Sequence, residues 1–88
     1  MAETLRKHRF SDRVDSSAGW TVRLRRDRVE YIDQLGTVAI EAEWTPMRVT
    51  SVRIFPSTAA VDSDRRDEAV RKMSKAFDAA GWVLKVWE

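Results

Sequence analysis

The sequence predicts an α+β domain: a four-stranded antiparallel meander, then one packed amphipathic helix and a C-terminal fifth strand, in the order β-β-β-β-α-β. Three observations predict it. Apolar residues alternate with polar ones from Trp20 to Phe55, and short turn sequences interrupt that alternation. The apolar spacing then changes to three and four residues between Asp64 and Ala80. A chain of 88 residues holds one core, so residues 20–88 are expected as a single domain. Residues 1–19 mix charges with Ser, Asp and Gly around only Leu5, Phe10 and Val14, and are expected as a flexible basic N-terminal arm.

The first strand carries Trp20, Val22 and Leu24, the second Val29 and Tyr31, and the third Val38, Ile40, Ala42 and Trp44. A fourth runs from about Val49 to Phe55, where Pro56 ends it. Arg26-Asp27, Asp33 to Gly36 and Thr45-Pro46-Met47-Arg48 supply the turns. Ser63 or Asp64 then caps the helix, with Asp67 and Glu68 in the first turn where the helix dipole favours carboxylates. Val70, Met73, Phe77 and Ala80 form its apolar stripe, with Ala69 and Ala76 beside them. Gly81 ends it in a left-handed conformation. Trp82 to Trp87 is the fifth strand, rich in Val and Trp; it can lie parallel to its predecessor or antiparallel at another edge.

Turn lengths fix the pairing. A two-residue turn at Arg26-Asp27 sets Leu24 against Val29, Val22 against Tyr31 and Arg23 against Glu30. A turn over residues 33–36 sets Tyr31 against Val38, Val29 against Ile40 and Arg28 against Glu41. The Pro46 turn, taken as four residues, then puts Ser51 and Arg53 on the core side and Val52 and Ile54 outside. Either a bulge re-aims the fourth strand, or Ile32, Ala39, Val52 and Ile54 make a second apolar patch suited to a partner. Ile32, Val52, Ile54 and Trp87 are the candidate interface. Trp82 and Trp87 bracket the last strand, where both indoles are expected to cover the core edge; the alternative is that Trp87 is exposed as an interface anchor.

Composition excludes several chemistries. The chain has no Cys and one His, so it can build neither a disulfide framework nor a Cys or His zinc site, and no cofactor or metal is expected. The three glycines stand singly at 19, 36 and 81, which leaves no phosphate-cradling loop. Asp62, Asp64, Asp67 and Glu68 lack the spacing of a calcium loop and read as helix-capping residues. Glu41 and Glu43 share a strand face about 7 Å apart, a separation used in glycoside hydrolysis, but they also serve as solvated partners for neighbouring Arg. No apolar run is long enough for a membrane span or a signal sequence, and a cytoplasmic protein is expected.

Net charge is +2, but residues 1–28 carry eight Arg or Lys against four acids. Arg23, Arg25, Arg26 and Arg28 cluster on the first hairpin, and Arg6, Lys7, Arg9 and Arg13 lie on the arm. Together they are a candidate polyanion-binding surface, since guanidinium groups bind phosphate bidentately and a two-stranded ribbon fits the major groove. The leading expectation for function is a non-enzymatic protein-interaction module, self-associating or a subunit of a complex. The alternative is a nucleic-acid-binding protein that uses the basic hairpin and arm.

Overall fold

The structure, a computed structural model, describes residues 3–8, 12–45 and 48–87. Arg9, Phe10, Pro46 and Met47, on which part of the sequence reading rests, lie outside the described residues. The elements in chain order are β1 Leu5–Lys7, β2 Arg13–Ser16, β3 Thr21–Leu24, β4 Arg28–Asp33, β5 Gly36–Thr45, β6 Ser51–Phe55, a 3-10 turn Pro56–Thr58, α1 Ser63–Ala80 and β7 Val83–Val86.

The α+β class holds, but the sheet has seven strands in the order β1-β2-β3-β4-β5-β6-β7 and exceeds the expected four-stranded meander with its added strand. The two additional strands come from the segment expected as a flexible arm. Val14 is fully buried and Leu5 packs against the core. Polar anchors complete the attachment: Ser16 Oγ donates to Glu3 Oε2 at 2.6 Å, Trp20 Nε1 donates to the same oxygen at 2.7 Å, and Lys75 of α1 pairs with Oε1. These partners, Lys75 foremost, pull the Glu3 carboxyl down to about 2.

Turn geometry sets the middle of the sheet as the sequence predicts. Val22 pairs with Tyr31 and Leu24 with Val29, then Tyr31 with Val38 and Val29 with Ile40. The expected phase fails at β6. Thr45 pairs with Ser51, so five residues, 46–50, separate the strands, whereas a four-residue turn would pair Thr45 with Arg48. That displacement of three residues reverses the faces, because side-chain direction alternates with every residue. Ala42 therefore faces Ile54 and Trp44 faces Val52. Val52 and Ile54 are 0% exposed on the helix side, and the expected second apolar patch does not form.

Helix α1 lies against β1–β4 and β7, burying Ala69, Met73, Ala76 and Phe77. Its cap is Asp62, one residue before the expected Ser63 or Asp64, and the Asp62 carboxylate accepts from Arg65 N–H at 2.8 Å. Gly81 adopts φ 76°, ψ 21° and ends the helix as expected. The Phe77 ring meets Trp82 edge-on at 5.4 Å, which seats the end of the helix against the approach to β7. β7 then pairs with β6 in parallel. The sheet curls around the helix far enough that Lys7 Nζ on β1 lies 5.6 Å from the Trp82 ring centroid.

Candidate interaction edge

An open sheet leaves two edges, and here they differ. The β1 edge is three residues long, and two of them are Arg6 and Lys7, the charged composition that blunts a strand edge. The β7 edge carries one charge, Lys85, among mostly apolar residues. Val86 is 45% and Trp87 58% exposed.

Backbone direction shows what β7 offers. Val83 N–H donates to Thr50 O at 2.8 Å and Trp87 N–H to Ile54 O at 2.9 Å, so odd-numbered residues turn their peptide groups toward β6. By the two-residue period, Leu84 and Val86 turn theirs outward. Beside these outward groups, for which no partner is seen among the described residues, lies a groove of about 430 Å³ between β7 and the first half of α1. Pro56, Val70 and Val86 are its apolar walls, and Ser57, Arg66, Asp67 and Arg71 its polar rim.

On the outer face a row of paired residues runs to the edge. Glu43 pairs with Arg53, and Arg53 with Lys85. Arg53 also lies 5.2 Å from the Trp87 ring centroid, a cation–π distance. Among the described residues neither Arg53 nor Lys85 joins an ion pair.

Of the four candidate interface residues, the structure leaves Trp87 exposed at this edge and buries Val52 and Ile54. Ile32 is half-buried on the outer face, between Thr21 of β3 and Thr37 of β5, away from β7. The basic hairpin does form, and Arg25 and Arg28 converge on Glu30. Arg25 Nε donates to it at 2.9 Å and Arg28 Nε at 3.4 Å, while Arg28 also reaches Asp27 at 3.1 Å. Burial raises the Glu30 carboxyl, but the two guanidinium groups outweigh it and hold it below its usual range. Arg23 sits between Arg13 and Glu30 in register, and Arg26 is exposed at the tip. Glu41 and Glu43 are exposed on the outer face, paired in register with Phe55 and Arg53.

Two arrangements were not foreseen from the sequence. Arg66 and Val70 share a groove, a pairing that their i, i+4 spacing would have permitted. Asp33 and Arg65 form a bidentate pair, with both bonds at 2.6 Å, that ties the β4–β5 hairpin to α1. Arg65 holds the Asp33 carboxyl well below its usual range, while burial and then Asp33 push the Tyr31 hydroxyl up to about 12. Among the described residues no group of three or more His, Cys, Asp or Glu could hold a metal ion, and no helix is long and apolar enough to cross a membrane. No protein-family model, curated protein or solved structure matches the chain.

Proposed function

We propose that the protein is a non-enzymatic interaction module that takes an extended segment of a partner onto the β7 edge. The observation that carries this reading is the outward peptide groups of Leu84 and Val86, flanked by exposed Val86 and Trp87 and by an apolar-walled groove. Strand addition of this kind draws affinity from main-chain hydrogen bonds and specificity from adjoining pockets. Polyanion binding by Arg23, Arg25, Arg26 and Arg28 has less support, because Glu30 engages two of the four.

The test is a Val86→Pro substitution. Proline lacks the outward N–H yet is tolerated on an edge strand whose N–H faces solvent. Random linear peptides displayed against the wild-type protein should yield binders that Val86→Pro loses while its urea midpoint stays close to wild type. Enrichment of nothing above background, or peptides that bind both proteins equally, refutes the reading.

A further inference from the structure

We propose that the segment captured by β7 belongs to another protein and alternates apolar with acidic side chains, the acids facing outward toward Lys85 and Arg53. The inference rests on the edge reading above and adds the chemistry of the partner.

Charge carries the outward half. The row Glu43, Arg53, Lys85 reads minus, plus, plus and stops at the open edge. Cross-strand neighbours of like charge repel and of unlike charge attract. An acid placed opposite Lys85 on an added strand gives that second positive charge an unlike neighbour. The helix-facing half has apolar walls beneath a rim of Ser57, Arg66, Asp67 and Arg71. Leu84 and Val86 point to that side, where Pro56 and Val70 wall the groove, so alternate side chains of the added strand meet hydrocarbon. One face wants acids and the other wants apolar residues, which is the two-residue period of a strand.

The same row argues against a second copy of this chain. Antiparallel pairing of β7 with itself must match outward groups with outward groups, and the register of fullest overlap sets Leu84 opposite Val86. That register puts Lys85 opposite its own copy, with Arg53 beside it in each subunit. A lysine in this position protects an edge from self-pairing.

The experiment titrates the full-length ¹⁵N-labelled protein with three acetylated, amidated peptides in which Val alternates with Glu, Thr or Lys. The Glu peptide is expected to move the Leu84 and Val86 amide resonances and to bind about tenfold more tightly than the Lys peptide, with Thr between them. A Lys85→Glu variant, altered at an exposed side chain, should invert that order. Equal affinities for all three at Leu84 and Val86 would overturn the acidic assignment and leave the edge reading standing. No movement at either amide with any peptide would overturn both. A dimer that protects these two amides without peptide would overturn the heterologous partner in favour of self-pairing.

Discussion

Arg65 offers the most quantitative test of how the helix is held. Its guanidinium makes two 2.6 Å bonds to Asp33 and one of 2.9 Å to Glu68, and it lies 5.3 Å from the Tyr31 ring centroid. The Arg65 and Asp33 side chains are only 14% and 15% exposed, so each is poorly solvated without the other. Arg65→Met leaves the Asp33 carboxylate without its counter-ion and should cost about 3 kcal/mol, the low end for a broken buried pair because some water reaches both groups. Asp33→Asn preserves the shape and strands the guanidinium less severely, at about 2 kcal/mol. Together the two changes remove both charges, and the double variant should lose about 3 kcal/mol rather than the sum, which gives a coupling of about 2 kcal/mol. Urea unfolding of all four proteins, followed by Trp fluorescence, measures it. A coupling below about 0.5 kcal/mol would show the two residues acting independently and refute the ion pair as the tie between hairpin and helix.

Phe77→Ala, at a fully buried site with the Trp82 ring 5.4 Å away, should destabilise the fold by about 4 kcal/mol, measured by thermal unfolding in circular dichroism. Trp87→Ala should shift stability by less than about 0.5 kcal/mol, yet weaken the Val/Glu peptide about tenfold in the same titration. Acid should unfold the protein through depressed carboxyls. Glu3 falls from 4.5 to about 2, and Asp33 and Asp15 fall below their ordinary 3.8. Because these folded-state values lie below the unfolded ones, the stabilisation is present above pH 4.5 and is lost as pH falls toward 2. The urea midpoint should therefore stay level from neutral pH to about 5 and drop below it, and Glu3→Gln with Asp33→Asn should flatten the drop.

The parts of the fold legible in the sequence are those where a local rule had no competitor. Two-residue turns leave one in-phase pairing, so Val22 opposite Tyr31 and Val29 opposite Ile40 followed from spacing alone. Gly81 was legible for a similar reason, since a left-handed residue at a helix end favours glycine. The buried face of β6 was left open between a re-aimed strand and a second apolar patch, because its phase depends on the connection after Thr45, and one extra or missing residue exchanges the faces of everything beyond it. β1 and β2 were missed because each has a single core residue, Leu5 or Val14, and much of their attachment is polar, through Glu3 to Ser16, Trp20 and Lys75. Of the candidate interface, the exposure of Trp87 was not legible, since a Trp at the end of an apolar strand can equally cover the core edge. Nor was the groove beside it, since it joins Pro56 to Val70 across a crossover whose direction the sequence left open.

Strand order in the sheet is identical to order along the chain, and this shapes how the protein folds and opens. The antiparallel ladders join neighbours separated by short connections, so most of the sheet can grow hairpin by hairpin with little loop-closure entropy at each step. Only β7 must wait, because its ladder to β6 closes across the whole of α1. The proposed binding edge is thus the strand with the longest return and, among the described residues, ladder partners on one side only. In native-state hydrogen exchange its Val83 and Trp87 amides, bonded to β6, should open before the amides of β4, which is paired on both sides. A bound segment would give β7 its missing second neighbour and slow that opening, so ligand capture and completion of the sheet would be read by the same two protons.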